Sequence, residues 1–306
     1  MYKKFYGLSG SPFSLLPDAD FLFYSRRHRR AVNLLAYGIF TQAGFIVITG
    51  DVGAGKTTVV RRYIKSAEAD VAVGVISNPS PTLGRLFSWV AMAYDLAPDP
   101  DDAKVYHAFV AFLLEQYAKG RRTVLIIDEA QNLSAETLED LRMLSNVNNE
   151  KDQLLQIVLV GQPELLETLN RPILRQFAQR IAVHCHLDPL VPVETAAYIR
   201  HRLAVVGGAP DLFDDAACAA VHYFTGGVPR LINLLCDQSL VYAFSEEEPA
   251  ISGEVVAEVV LDRGRMGLTP FRKLPEGWRI ENLAAETAAI LTEIQLAAKF
   301  ESATKK

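Results

Sequence analysis

The stretch GDVGAGKTT, Gly50–Thr58, decides how the rest of the chain is read. It fits the pattern G-x-x-x-x-G-K-[ST] through Gly50, Gly55, Lys56 and Thr57, and Gly53 adds a further glycine to the turn. Ahead of it, FIVIT (45–49) is an apolar, β-branched run that predicts a strand, and TTVVRRYI (57–64) behind it has a helical pattern. Strand, glycine loop and helix in that order are the context in which this pattern holds phosphate. The glycines let successive backbone N–H groups converge on phosphate oxygens at a helix N-terminus. Gly50, Asp51, Val52, Gly53, Ala54, Gly55, Lys56, Thr57 and Thr58 are therefore expected to wrap a nucleoside triphosphate. Lys56 would reach its β and γ phosphates, and the Thr57 hydroxyl would be a magnesium ligand.

The bulk numbers bound what can be built around that loop. A chain of 306 residues suffices for an α/β core and a smaller second unit, since domains typically run to roughly 100–200 residues. Half of the residues are hydrophobic and 22% are charged, a globular composition and not a disordered one. A formal net charge of −5 gives the whole protein no attraction to nucleic acid or to an anionic membrane, so any such binding must be local. The start MYKKFYGLSGSPF lacks the apolar region of a signal peptide, and no run reaches the ~18 apolar residues of a membrane span. A soluble, cytoplasmic protein is expected. Cys185, Cys218 and Cys236 are scattered without a C-x-x-C pair, which suits a reducing compartment and argues against disulfides or a zinc cluster.

From about residue 45, short apolar runs alternate with helical patterns. The runs are FIVIT (45–49), VAVGVI (71–76), TVLIID (123–128), LQIVLV (155–160) and IAVHCHL (181–187), and the helical stretches are 56–66, 82–96, 104–119, 134–148 and 163–180. Near-continuous apolar strands spaced by helices predict a parallel five-stranded α/β sheet with helices on both faces. After Pro189 the strand signals stop, and 192–206, 214–224, 228–245 and 252–263 read as a small all-helical domain. Asp214 with Asp215, and Ser252 with Glu254, are helix starters, while Gly207-Gly208 and Gly226-Gly227 are stoppers. The expected organisation is a lead segment at 1–40 packing on the core, the core at 41–190 and the helical domain at 191–265. A linker and one last helix would fill 266–306, the helix at 279–299 having Leu283, Ile290, Ile294 and Ala297 at helical spacing.

Other residues must say what the triphosphate is for. VLIIDEA (124–130) is an apolar strand ending in Asp128 and Glu129. Its acids could merely face water, but with an upstream phosphate loop Asp128 is expected to hold magnesium, mostly through water, and Glu129 to polarise a water for in-line attack. An acid pair favours hydrolysis over transfer to a small molecule. LVGQPEL (159–165) ends a buried strand in Gly161 and the amide Gln162, which could hold the attacking water or the γ-phosphate, or serve only as a turn former. Arg175 and Arg180 precede the last strand and Arg230 starts a later helix. Each could stabilise charge on a γ-phosphate or be a solvated surface group.

This order, phosphate loop, DE strand, polar strand end, arginine before the last strand and G-x-P-R in a helical lid, resembles AAA+ ATPases. Within them the opening FYGLSGSPFSLLPDADFLFYSRRHRRAVNLLAYGI and the phrases GFIVITGDVGAGKTT, LIIDEAQNLS, VLVGQPEL and GGVPRLINLLCDQ look like the general secretion pathway protein A group. The likeness is nearest to the secretion ATPases found with exosortase and exopolysaccharide loci, and it runs over residues 1–263. The resemblance implies that ATP with Mg2+ is bound and hydrolysed. It makes Lys56 and Thr57 the Walker A ligands, Asp128 and Glu129 the Walker B pair, Gln162 the sensor 1 residue and Arg230 the sensor 2 residue of the lid. Arg180 would be the finger acting on a neighbouring subunit, with Arg175 the alternative. It also implies a homo-oligomer with nucleotide between subunits, and an envelope-assembly protein as partner through which the cytoplasmic chain reaches the inner membrane. Membrane-anchored members continue into a transmembrane helix and a peptidoglycan-binding domain; this sequence stops at Lys306 without either, so direct cell-wall binding is not expected of it.

Three weaker signals remain. SRRHRR (25–30) is expected to be the solvated start of a helix, with nucleic-acid phosphate the other reading. It supports a DNA-dependent ATPase of the transposition or initiator type as the alternative to an envelope motor. His184 and His186 would share one face of a strand, a structural pair unless a third and fourth metal ligand joined them. The apolar stripe of the last helix reads as packing back on the helical domain, or as a docking handle.

Overall fold

The computed structural model describes residues 1–15, 21, 23–66, 70–80, 85–148, 152–267 and 269–304. Two compact units form, one from Arg26–Asp188 and the other from Met1–Ser25 with Pro189–Lys306. The second opens on a short helix, α1 (Tyr2–Phe5). The first contains α2 (Arg26–Phe40), β1 (Phe45–Gly50), α3 (Lys56–Ser66), β2 (Val71–Ile76), α4 (Leu86–Ala93) and α5 (Asp102–Ala118). It continues with β3 (Arg122–Ile127), α6 (Ala135–Leu144), β4 (Leu155–Gly161), α7 (Glu164–Leu169), α8 (Arg175–Ala178) and β5 (Ile181–Leu187).

The five strands lie in the order β2-β3-β4-β1-β5, and every neighbouring pair is parallel. Successive side chains leave a strand on opposite faces, and two cores result. Phe45, Val47, Leu125, Ile127, Ile157 and Leu159 meet Val90 of α4, Phe109 and Leu113 of α5 and Leu138 and Leu141 of α6. Ile46, Ile48, Val124, Ile126, Val158 and Val160 meet Ala31, Leu35 and Ile39 of α2 and Val59, Val60 and Tyr63 of α3 on the other. Each fully buried side chain of this size contributes roughly 1.5–3 kcal/mol. β1 and β4 are buried at every position. β5 is an edge strand, and its alternation of buried and exposed residues departs from the continuous apolar reading of IAVHCHL.

Helix boundaries shift for local reasons. The stretch expected to be helical at 163–180 breaks into α7, a tight turn at Pro172–Leu174 and α8, because proline lacks the N–H that a continuing helix needs. The helix expected at 82–96 is observed as α4, and positions 82–84 of that expectation lie outside the described residues. At the start of α6, Ser134 accepts the Thr137 N–H at 3.1 Å.

The helical unit adds α9 (Pro192–Val205), α10 (Asp215–Thr225), α11 (Pro229–Ser245), α12 (Gly253–Arg265) and α13 (Leu283–Thr304) around one core containing Ile199, Leu203, Phe224, Ile232, Leu235 and Val256. Asp214 caps α10 by accepting the Ala217 N–H at 2.6 Å, and Ser252 caps α12 through Val255 N–H at 3.4 Å. The lead segment expected at 1–40 is divided between the units: Met1–Ser25 belongs with the helices, and α2 with the sheet. Phe13 is buried in the helical core and meets Phe213 edge-on at 5.7 Å. The buried Arg202 guanidinium donates to the carbonyls of Pro12 and Ser14, and Tyr2 donates to Asp237 at 2.7 Å. The stretch expected as a linker also joins this core, through Phe271 and through Arg272 N–H, which donates to Phe224 O at 2.9 Å, and the last helix joins it through Leu283 and Ile294.

The two glycines of GGVPR do different work. Gly226 ends α10 with φ +59 and nothing within 4 Å of where a Cβ would stand, whereas at Gly227, φ +79, a Cβ would land on the Leu190 carbonyl oxygen. Gly226→Ala is expected to lose about 1–2 kcal/mol from the left-handed backbone alone. Gly227→Ala must also move the Leu190 backbone, which donates its N–H to Gly227 O at 2.9 Å. Thermal melts followed by circular dichroism should give Gly227→Ala the clearly lower midpoint; equal midpoints would remove the Leu190 contact as a constraint.

Candidate functional site

The loop after β1 turns through two glycines in the left-handed region, Gly53 at φ +82 and Gly55 at φ +97, conformations that side chains rarely tolerate. Gly50 is forced by proximity instead, because a Cβ there would stand 2.7 Å from Leu187 O of β5. Lys56 begins α3, whose first turn contains no acid, so no side chain of the helix itself offsets its positive N-terminal end. The Lys56 ammonium is buried and donates to the carbonyls of Gly50 at 2.7 Å and Asp51 at 2.9 Å. Burial pulls its pKa below the usual lysine value, and the carboxylates of Glu129, Asp128, Asp51 and Glu164 oppose that pull. Thr57 Oγ1 donates to Asp128 Oδ2 at 2.9 Å. That pair joins the helix start to the end of β3.

Parallel register sets the other half of the site. Thr49 of β1 lies opposite Gly161 of β4, and Ile127 of β3 opposite Leu159, so the residues that follow each strand gather on one edge. Asp128 Oδ1 accepts the Glu129 N–H at 3.0 Å, and Glu129 is left-handed at φ 56. Glu129 Oε2 accepts Gln162 Nε2 at 3.4 Å. It also accepts Gln131 Nε2, at 2.6 Å. The arrangement combines a phosphate loop with a cation at its helix, a hydroxyl–carboxylate pair suited to a divalent metal, and beside it a second carboxylate, a group that can accept a proton. These residues fit a triphosphate and magnesium on their own geometry.

Two members of the site were not singled out by sequence. Gln131 lies in the turn Ala130–Asn132 after the acid pair, and nothing in its spacing marked it. His28 was expected in a solvated helix start, but it is buried on α2 with Nε2 3.1 Å from Ala54 O. Its phase was legible, since Ala31, Leu35 and Ile39 are buried on the same face of α2. Around it, Arg26, Arg29 and Arg30 are exposed, and Arg27 pairs with Asp188 at 3.5 Å.

The remaining candidates divide. Arg180 NH1 donates to Asn146 Oδ1 at 2.5 Å, Ser145 Oγ at 3.2 Å and Arg142 O at 3.4 Å, closing the C-terminal end of α6. Arg175 is exposed at the start of α8. Arg230, in the helical unit, is exposed behind Pro229 in the first turn of α11. His184 and His186 both bond the buried Thr49 hydroxyl, at 3.1 and 3.0 Å, and no cluster of three or more metal-ligating side chains occurs among the described residues.

Residues 40–169 match the AAA domain family. The chain is 41% identical over 247 residues, 80% of its length, to general secretion pathway protein A of Aeromonas hydrophila. It spans about half the length of that relative, 45%. Among solved structures, Cdc6p from Pyrobaculum aerophilum is similar with a TM-score of 0.62 at 14% identity, over 92% of this chain and 84% of that one. The ORC2 protein of Aeropyrum pernix, solved as ADPNP-ADP complexes, is similar with a TM-score of 0.60 at 15% identity, over 86% of this chain and 72% of that one. The two solved structures bear on the fold.

Gly55 is confined from two sides, by its φ of +97 and by His28 Nε2, which a Cβ would approach to 2.5 Å. Gly55→Ala is expected to weaken nucleotide binding at least about tenfold and to lower the thermal midpoint, since strain of roughly 1–3 kcal/mol falls on the loop itself. Adding His28→Ala removes the collision and leaves the backbone strain. The double variant should therefore recover part of the midpoint, measured by differential scanning calorimetry, and no recovery would show that His28 does not confine the loop.

Proposed function

We propose that this chain, a member of the AAA family of P-loop proteins, binds ATP with Mg2+ in the loop Gly50–Thr58 and hydrolyses it. The observation that carries this reading is the gathering of Lys56, Thr57, Asp128, Glu129 and Gln162 on one edge of the sheet, with Thr57 2.9 Å from Asp128 and Gln162 3.4 Å from Glu129. Lys56 exchanges the carbonyls of Gly50 and Asp51 for the β and γ phosphates, and Thr57 and Asp128 would hold the cation. Magnesium held there would supply charge neutralisation on the phosphate oxygens. Glu129 takes a proton from a water as the water oxygen bonds the γ-phosphorus and the bond to the β-phosphate oxygen breaks, releasing ADP and phosphate. Gln162 holds the water or the γ-phosphate in line.

Expected outcomes follow for two variants. Lys56→Ala should lose ATP binding, whereas Glu129→Gln should bind ATP as the parent does and turn over at least ~100-fold more slowly, the usual scale for removing a general base. Filter binding of labelled ATP beside a phosphate-release assay reads both. Parent-like turnover in Glu129→Gln would sink its assigned role.

Oligomerisation with nucleotide between subunits is part of the same proposal. Arg175 is the better candidate for a finger reaching a neighbour's γ-phosphate, because the Arg180 guanidinium already serves the end of α6. Arg230 is the candidate in the helical unit for sensing the nucleotide state. The rate per subunit should rise with protein concentration in the parent and collapse in Arg175→Ala. Arg180→Ala should chiefly lower the thermal midpoint; the reverse pattern restores Arg180 as the finger.

The relative's name supports a role for ATP turnover in a secretion pathway, and the form we propose for it is positioning or remodelling a cell-envelope secretion or polysaccharide-export assembly from the cytoplasmic side. That reading includes a protein partner at the inner membrane. Among the described residues no helix is long and apolar enough to cross a membrane. The exposed Arg26, Arg29 and Arg30 support a second reading, a DNA-dependent ATPase, for which duplex DNA would raise the rate in a salt-sensitive way.

A further inference from the structure

Two residues beyond Glu129, the side-chain amide of Gln131 is engaged at both ends. Its Nε2 donates to Glu129 Oε2 at 2.6 Å, and its Oε1 accepts the backbone N–H of Gln162, the first residue past β4, at 3.0 Å. The fold keeps space for this amide. A Cβ on Gly161 would stand 3.0 Å from Gln131 Oε1 and 3.2 Å from the Gln131 backbone nitrogen. The acid it grips sits on unusual backbone, φ 56 and ψ 38 at Glu129, in the left-handed region that residues other than glycine adopt at a penalty.

We infer that Gln131 is a positioning residue that clamps Glu129 to the end of β4, an inference that rests on the hydrolytic reading of Glu129. The two oxygens of a free carboxylate interchange by rotation about its last, broadly two-fold torsion. Amide donors on Oε2 remove that freedom, and Oε1, which takes neither of these two bonds, becomes the fixed acceptor for the water proton. The requirement selects glutamine by its chemistry. A carboxylate at 131 would repel Glu129, and a lysine would offer no acceptor to the Gln162 N–H. A neutral amide satisfies both partners and leaves the charge of Glu129 intact. The clamp also ties the base to the strand end bearing Gln162, so the base and the amide proposed to contact the γ-phosphate move as one piece.

Gln131→Met in the full chain preserves length and removes both bonds. Displacing a reacting group by about 1 Å costs on the order of 100-fold, so kcat is expected to fall between about 10- and 100-fold, with KM for ATP within about twofold and the thermal midpoint unchanged. In a Glu129→Gln background the same substitution should bring no further fall. Hydrogen exchange read by nuclear magnetic resonance should show the Gln162 backbone amide exchanging at least about tenfold faster in Gln131→Met, whether or not nucleotide is turned over. Parent-like kcat, or a fall in kcat matched by a fall in the thermal midpoint, overturns the positioning role. Unchanged Gln162 exchange overturns the clamp itself. A parent chain that binds ATP without hydrolysing it would defeat the hydrolytic reading alone, and the exchange measurement would still decide whether Gln131 holds the strand end.

Discussion

The parallel pairing of β1 with β4, which sets Thr49 beside Gly161, is the contact on which the site depends. With β3 parallel to β4 as well, the loop at 50–58, the acids at 128–129 and the amide at 162 leave three strands on the same edge, although they lie far apart in sequence. Reversing a strand of six residues would carry its terminal residue to the opposite edge, roughly 20 Å away. No side chain could recover that distance. The buried apolar residues of β1, β3 and β4 are thus doing more than filling a core, because they fix the register that makes Lys56, Asp128 and Gln162 neighbours.

Charge sets the next constraint. One buried ammonium, Lys56, faces the carboxylates of Glu129, Asp128, Asp51 and Glu164, so the edge of the sheet is already acidic before any phosphate arrives. The proposed triphosphate would add several negative charges to that region. Lys56 and the N-terminus of α3 would offset only part of them, and the Thr57–Asp128 pair is where a divalent cation would offset more without any protein group moving between strands. The same acidity explains why neutral amides surround Glu129. Gln131 and Gln162 donate hydrogen bonds to it, and neither adds a charge that would compete with the cation.

Much of this was legible in the sequence, because it follows from short-range patterns. Apolar runs of strand length gave all five strands, and the glycine loop between FIVIT and a helix placed Gly50–Thr58 where the structure has it. Asp128, Glu129 and Gln162 were readable as polar residues ending apolar strands. What failed to show was whatever depends on packing between distant segments. Met1–Ser25 went to the helical unit because Phe13 fills its core and Arg202 holds the carbonyls of Pro12 and Ser14, none of which leaves a local signature. The stretch after Arg265 looked like a linker because Phe271 and Trp278 are isolated in sequence, yet Phe271 is buried and Trp278 meets Phe224 edge-on. His28 was hidden for a different reason: four arginines around it made the run look solvated, while helical phase turned the one histidine inward.

Arginines mark the boundary of what such reading can reach. The guanidinium sits at the end of a long, flexible stem, so its role is set by which acceptors fall within reach and not by its neighbours in sequence. Four arginines of this chain make the point. Arg202 is buried, with backbone carbonyls and the Tyr198 hydroxyl as its acceptors. Arg180 is committed to Arg142, Ser145 and Asn146 at the end of α6, where orphan carbonyls need donors. Arg175 and Arg230 remain exposed on helix starts. The bonds that hold Arg180 at the end of α6, and not proximity to the last strand in sequence, are what move the proposed finger from Arg180 to Arg175.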